Sequence, residues 1–176
     1  MKILLHDCCA PCGAFVAKKL FDEGNDVSVY YYNPNIFPKE EYDLRLSEMK
    51  RFCEKYKIPF IVGDADHELW RQSVAGYEKE PERGKRCEIC FAHRLAEAAQ
   101  KGSELGVDAL ATTLTMSPLK SAETINRIGH EVAALYGLEF IDRVWREQNG
   151  GKEAVKLAKE ENFHRQNYCG CEFSIR

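Results

Sequence analysis

The sequence predicts an α/β protein with a doubly wound, mainly parallel sheet. Short apolar runs alternate with amphipathic stretches from Ile3 to Ile141, and glycine, asparagine or proline separates most of them. Strands that alternate with helices in this way are typical of a parallel sheet covered by helices on both faces. A chain of 176 residues is long enough to bury a core without disulfides. We expect one domain over 1–176, with an α/β core over 1–142 and a helical C-terminal extension over 143–176.

Five strands are expected, each a short run rich in β-branched, aromatic or leucine side chains between turn residues. They are expected at 3–5, 26–32, 58–62, 107–113 and 138–141. Pro59 is tolerated because it lies at the start of its strand.

Six helices are expected from apolar side chains spaced three or four residues apart. They are expected at 14–21, 39–57, 67–74, 87–105, 121–135 and 153–161, with a loop at 114–120. Residues within 64–67 are expected to cap the third helix, and Ser121 begins the fifth. The extension is expected to fold back over the carboxyl edge of the sheet.

The composition describes an ordinary water-soluble globule. A net charge of −3 provides no global attraction to nucleic acid or to an anionic membrane, so a polyanionic partner needs a local basic patch. No apolar stretch approaches the length of a membrane span, and Asp7 follows the start too soon for a signal peptide. We expect a cytoplasmic protein with no membrane partner.

Eight cysteines are too many for a reducing compartment unless they bind metal or carry redox chemistry. Seven of them form three groups: Cys8, Cys9 and Cys12; Cys87 and Cys90; and Cys169 and Cys171. Cys53 stands alone on a predicted helix, where we expect a buried, inert thiol.

The first two cysteine groups follow a predicted strand or loop and open a helix, where the helix dipole favours thiolates. Four thiolates drawn from both groups would make a Cys₄ site for zinc or for a [4Fe–4S] cluster. Because Cys8-Cys9-x-x-Cys12 has a surplus thiol that a closed zinc site does not need, an iron–sulfur cluster is favoured. A dithiol redox site is also open.

The tail motif Cys169-Gly170-Cys171 permits two interpretations. Its thiols can close a strained disulfide of the labile, catalytic kind. They can instead bind a second metal ion together with Asp7, Asp64 or His6.

Polar side chains at the ends of predicted strands are the candidates for substrate binding and proton transfer. His6 can tune a neighbouring thiolate or deliver a proton, or can make only a structural hydrogen bond. Lys120 can contact a phosphate or a leaving oxygen. The remaining candidates, which can equally be ordinary turn residues, are Asn33, Asn35, Thr112, Thr113 and Ser117.

Basic residues lie beside the predicted crevice loops and are interleaved with aromatic ones. Such a mixture suits the phosphates and the unstacked base of a nucleotide, although a charge run can also be only a solvated face. The basic residues are Lys39, Arg45, Arg83, Lys85, Arg86, Arg143 and Arg146, and the aromatic ones are Tyr31, Tyr32, Phe37, Tyr77 and Trp145.

Five motifs in order along the whole chain resemble the QueH family of epoxyqueuosine reductases. They are His6-x-Cys-Cys-Ala-Pro-Cys12; Tyr32-Asn-Pro-Asn-Ile36; Arg86-Cys-x-x-Cys-Phe91 with Arg94-Leu95; Thr112-Thr-Leu114 with Ser117-Pro118 and Lys120; and Tyr168-Cys-Gly-Cys-x-Phe-Ser174. The strand order is similar to that of nucleotide α-hydrolase (PP-loop) domains, but the chain has no SGGxDS-type loop, so use of ATP is not supported.

The resemblance implies reduction of the epoxide of epoxyqueuosine to queuosine at the tRNA wobble position, with an unidentified electron donor. It also implies a [4Fe–4S] cluster on Cys8, Cys9, Cys87 and Cys90, with Cys169 and Cys171 as a redox-active pair. We expect the surplus thiols Cys12, Cys169 and Cys171 to lie near that cluster and to supply the second electron, either themselves or through a second metal.

Two alternatives from other functional classes are open. A zinc-stabilised RNA-binding module would keep the Cys₄ site and have no activity. A cytosolic thiol–disulfide reductase would use only the dithiols and no metal.

Overall fold

The computed structural model describes residues 1–175 and contains a five-stranded parallel sheet. The strands are β1 (Lys2–Asp7), β2 (Asp26–Tyr31), β3 (Phe60–Val62), β4 (Ala109–Thr112) and β5 (Glu139–Phe140). Their order across the sheet is β3-β2-β1-β4-β5, and every neighbouring pair is parallel. The predicted fold class is confirmed.

Six α-helices accompany the strands within residues 1–175. They are α1 (Ala10–Asp22), α2 (Lys39–Tyr56), α3 (His67–Ser73), α4 (Lys85–Glu104), α5 (Ala122–Leu135) and α6 (Gly150–Glu160). Two short 3₁₀ helices cover Thr113–Met116 and Glu172–Ser174.

Side chains of the central strand β1 alternate between two hydrophobic layers. Ile3 and Leu5 pack in the layer that contains α1, α2 and α6, whereas Leu4 packs in the opposite layer with α4 and α5. Both faces of β1 are therefore buried, as expected for a doubly wound sheet.

Most element boundaries agree with the sequence, and the differences have local causes. The Asp66 carboxylate accepts from the Leu69 amide and Ser121 Oγ accepts from the Thr124 amide, so both expected N-caps are present. Strand β4 is shorter than expected because the chain turns into a 3₁₀ helix at Thr113, where a loop was expected. Cys53 is buried, as expected.

The C-terminal extension contributes to the main hydrophobic core. Trp145, Ala158 and Phe163 pack in the same layer as α1, and the Trp145 indole donates to the Thr112 carbonyl at 2.9 Å. This contact ties the extension to the carboxyl end of β4. Within residues 1–175, no helix combines the length and the apolar character that a membrane span requires.

The packing of α5 on β5 predicts a large cost for a methyl group at Gly129. A Cβ there would overlap the Phe140 ring, so we expect Gly129→Ala to lower the free energy of unfolding by about 1–3 kcal/mol. Gly151→Ala in α6 is the matched control, because its Cβ would meet only ordinary contacts, and helix propensity favours it by about 0–1 kcal/mol. Urea unfolding of the two variants checks this, and equal stabilities would contradict it.

Candidate active site

The candidate site lies where the strand order of the sheet reverses. Strand β1 leads into α1 on one side, and its neighbour β4 leads into a 3₁₀ helix, so a crevice opens between their carboxyl ends. Doubly wound sheets bind ligands at such a switch point. Cys8 and Thr113 follow the two strands directly, and the Cys8 amide donates to Thr113 Oγ1 at 3.3 Å.

A cavity of about 550 Å³ occupies this crevice and collects most of the residues that the sequence singled out. Its walls come from α1, α4, the 113–120 segment, α6 and the C-terminal tail. The candidates that line it are Cys8, Cys9, Cys12, Arg86, Cys87, Thr113, Ser117, Lys120, Cys169 and Cys171. Six of the eight cysteines therefore face one space.

The other candidates do not line this cavity. Cys90 is buried and packs with Cys171 and Trp70. His6, Asn33, Asn35 and Thr112 are at most 1% exposed and lie outside the cavity wall.

His6 has a structural role in this geometry. Its Nδ1 lies 3.0 Å from Thr112 Oγ1 and its Nε2 lies 3.2 Å from the Tyr32 carbonyl oxygen. Burial, aided by the charge of Arg94, lowers the pKa of His6 to about 3, so the ring is neutral at physiological pH. These contacts match the structural hydrogen bond that was one of the two roles expected for His6.

Asn33 is also fixed below the site. Its amide donates to the Asp7 carbonyl at 2.8 Å, and its Oδ1 accepts from Arg94 Nη2. The buried Oδ1 of Asn35 has no protein partner among the described residues. Neither residue lines the cavity.

The three thiols at the start of α1 have different acidities. The Cys8 and Cys9 sulfurs lie 3.8 Å apart. Hydrogen bonding with the thiols of Cys12 and Cys9, with Lys120 and Arg94 nearby, holds the pKa of Cys8 well below its ordinary value. The same contacts and burial raise the pKa values of Cys9 and Cys12. Cys8 is therefore the first thiolate of the group.

Arg94 is a functional candidate for which the sequence analysis gave no role. It is 1% exposed, and although burial opposes its charge, the thiols of Cys90, Cys8 and Cys169 raise its pKa. The sequence could have indicated it, because Arg94 lies seven residues after Cys87 on a predicted helix and that spacing places both side chains on one face. Gln166, which donates to Cys9 Sγ at 2.9 Å, gave no such signal.

Lys120 reaches the cavity from a loop that two arginines hold. Arg83 donates to the Pro118 and Leu119 carbonyls at 2.8 Å each, and Arg146 donates to the Thr115 and Ser117 carbonyls. Burial alone would lower the pKa of Lys120, but the nearby sulfurs of Cys169 and Cys8 raise it above its ordinary value. The ammonium is therefore charged and faces the thiols.

The structure buries part of the expected surface of mixed basic and aromatic residues and leaves the rest, including Arg83 and Arg146, accessible. Tyr31, Tyr32 and Trp145 are buried in the core. Arg45 and Arg86 are each 2% exposed, and Arg86 Nη1 donates to the carbonyls of Tyr77, Glu78 and Glu80. The aromatic rings that do line the cavity are Phe91 and Tyr168, and its more exposed cations are Arg83, Lys120, Arg146 and Arg165.

The cysteines around the cavity form an all-thiol donor set, which is the kind of set that an iron–sulfur cluster uses. A zinc ion needs four donors about 2.3 Å from one point. Among residues 1–175, no three Cys, His, Asp or Glu side chains are grouped to hold one ion. A [4Fe–4S] cluster takes each thiolate on a different iron, and four cysteine thiolates are its ordinary ligand set. A second metal ion is not supported, and Asp64 is exposed and outside the cavity.

The acidity difference predicts an order of alkylation in the metal-free protein. Nucleophilic attack needs the thiolate, and the lowered pKa makes Cys8 the more ionised thiol near neutral pH. We expect iodoacetamide to modify Cys8 before Cys9, Cys12 or the buried Cys53. Tandem mass spectrometry of the tryptic peptides checks the order. Modification of Cys9 or Cys12 ahead of Cys8 would contradict the assignment.

Solved structures share the fold. The U34-tRNA thiolase NcsA from Methanococcus maripaludis, solved with its [4Fe-4S] cluster, superposes with a TM-score of 0.65 at 15% identity. The match covers 100% of this chain and 62% of that one. A predicted subunit of tRNA methyltransferase from Methanocaldococcus jannaschii superposes with a TM-score of 0.59 at 13% identity, covering 90% of this chain and 75% of that one. At these identities the likeness concerns the fold alone.

Several proteins have a much higher sequence identity to this chain than these solved structures have. The relative from Histophilus somni is 42% identical over 99% of this chain and 72% of its own length. The one from Acinetobacter baylyi is also 42% identical, over 99% of this chain and 81% of its own length, and the one from Thermotoga maritima is 34% identical over 98% and 90%. Each is named epoxyqueuosine reductase QueH, and the family model of that description matches residues 3–176. The chain belongs to the epoxyqueuosine reductase QueH family.

Proposed function

We propose that the protein reduces epoxyqueuosine to queuosine in tRNA, with a [4Fe–4S] cluster in the thiol-lined cavity. The observation that carries the proposal is the convergence of six cysteines on one cavity at the switch point of the sheet. Membership of a family of epoxyqueuosine reductases supports the reaction.

The residues that would hold the cluster are Cys8, Cys9 and Cys87, which line the cavity, and Cys90, which is buried behind the wall and packs with the cavity residue Cys171. When bound, the cluster would supply electrons one at a time. Arg94 lies buried among Cys8 and Cys90, and its fixed positive charge offsets the negative charge that thiolates bring into a desolvated site. Gln166 orients Cys9 by donating to its sulfur.

The cavity also suits one nucleoside. Apolar side chains form much of its wall, among them Phe91, Leu114, Met116 and Val155, and a volume of about 550 Å³ lies within the range of small-molecule sites. Thr113 and Ser117 add hydroxyl groups, and Arg83, Arg146 and Arg165 add positive charge for the phosphates of the tRNA. This is the local basic patch that a chain of net charge −3 needs.

Removal of the epoxide oxygen consumes two electrons and two protons and yields an alkene and water. Lys120 is charged and lines the same cavity as the thiols, so it can donate a proton to the departing oxygen. Cys169 and Cys171 can together give two electrons and two protons as they form a disulfide; one of these protons completes the water molecule and the other restores the Lys120 ammonium, which balances the reaction. An external reductant, not yet identified, would then restore the dithiol.

The test of the proposal is reduction of the modified nucleoside itself. Anaerobically reconstituted protein, dithionite and tRNA that carries epoxyqueuosine are incubated, and the tRNA is digested to nucleosides for mass spectrometry. We expect a product lighter by one oxygen. A fully loaded protein that leaves epoxyqueuosine unchanged would contradict the proposal.

The position of Lys120 predicts a catalytic defect without loss of fold. Lys120→Gln removes the proton donor and keeps the hydrogen-bonding capacity of the side chain, so kcat should fall about 100-fold. Lys85→Gln is the matched control, since Lys85 is exposed and pairs with Glu88. Steady-state kinetics with iron analysis checks this. Equal kcat values in the two variants, at equal iron content, would exclude Lys120 as the donor.

A further inference from the structure

Arg45 is a buried cation that the reaction as described does not use. It lies in α2 and is 2% exposed, so it is not available to the phosphate of a nucleic acid. A buried charge must be paired and hydrogen-bonded. Its Nε donates to Glu41 Oε1 at 2.7 Å, which offsets the charge within the same helix.

The other nitrogens of Arg45 bind the tail next to the Cys-Gly-Cys motif. Nη1 donates to the Cys169 carbonyl at 3.1 Å and Nη2 donates to the Tyr168 carbonyl at 3.4 Å. The guanidinium also lies 5.5 Å from the centre of the Tyr168 ring. The next carbonyl, that of Gly170, accepts from the Phe37 amide at 2.8 Å. Three successive carbonyls of the tail therefore accept hydrogen bonds from α2 and the loop before it.

Gly170 shows how closely the tail fits against Arg45. Its φ of +122° is one that side chains rarely adopt, and a Cβ would lie 3.1 Å from both Arg45 Nη1 and Ile36 Cγ1. The flanking Cys169 and Cys171 line the cavity, and the Cys171 thiol is 3.5 Å from Ser174 Oγ. The carbonyls bind α2 and the loop before it, while the two cysteines face the cavity.

We propose that Arg45 is a positioning residue that holds the Cys169-Gly170-Cys171 turn in its dithiol conformation at the cavity wall. Closing a disulfide brings the two Cβ atoms to about 4 Å and removes the thiol hydrogen that Cys171 directs at Ser174 Oγ. That movement turns the peptide units whose carbonyls Arg45 holds, so Arg45 opposes closure of the ring. The importance of this effect for turnover rests on the proposed function.

A glutathione titration of the full, anaerobically purified chain tests the proposal. Oxidation of the pair transfers two electrons and two protons to glutathione disulfide, giving two glutathione molecules and the Cys169–Cys171 disulfide. Free thiols are trapped by alkylation, and mass spectrometry measures the oxidised fraction in the tail peptide. The variants are Arg45→Met and Arg45→Lys, which keeps the charge beside Glu41 but lacks the planar fork.

Arg51→Met is the matched control. Arg51 lies on the same helix and makes the same kinds of contact with the extension, because its Nη2 donates to the Glu161 carbonyl at 2.8 Å and its guanidinium lies 5.4 Å from the Phe163 ring. Neither contact involves the Cys-Gly-Cys turn.

We expect both Arg45 variants to reach half-oxidation at about tenfold less glutathione disulfide than the wild type, the scale of one or two lost hydrogen bonds. The control should match the wild type. Unchanged half-oxidation in Arg45→Lys, or an equal shift in Arg51→Met, would overturn the proposal, and Arg45→Lys carries the test if Arg45→Met does not fold. The titration contains no tRNA, so its outcome does not depend on whether the protein reduces epoxyqueuosine. Failure of this proposal can therefore be told apart from failure of the proposed function.

Discussion

The parallel register between β1 and β4 is the constraint on which the site depends. His6 pairs with Thr112 in that register, and their side chains meet in a buried hydrogen bond. The next residues of both strands therefore leave the sheet together, which places Cys8 beside Thr113. His6 and Thr112, at the ends of the two strands, are buried and support the fold, whereas Cys8 and Thr113, one or two residues later, line the cavity.

Fixed positive charge makes the thiol-lined space possible. Thiolates in a desolvated cavity repel one another, and each needs a cation or hydrogen-bond donor nearby. Arg94 from α4 and Lys120 from the 113–120 segment provide this charge. The tail is held by a third cation, Arg45, whose two terminal nitrogens bind backbone carbonyls instead of sulfurs. Three separate elements thus each place one cation at or behind the thiols.

The alternation of apolar runs was sufficient to predict the sheet and its helices, because both faces of a parallel sheet must be covered. The positions of the first two cysteine groups, at the starts of predicted helices on the same edge, also predicted that these groups lie close together. The burial of His6, Asn33 and Arg45 was not predictable in this way, because polar and charged side chains are ordinarily exposed unless a specific partner lies across the fold. The path of the tail carries no periodicity, so its contacts with α2 came only from the structure.

Metal analysis of anaerobically purified protein tests the central claim most directly, together with a visible absorption spectrum before and after dithionite. The account predicts about four iron atoms per chain and a broad band at about 400 nm that bleaches on reduction. One zinc atom per chain and no visible absorption would contradict it, and would indicate a structural zinc module instead.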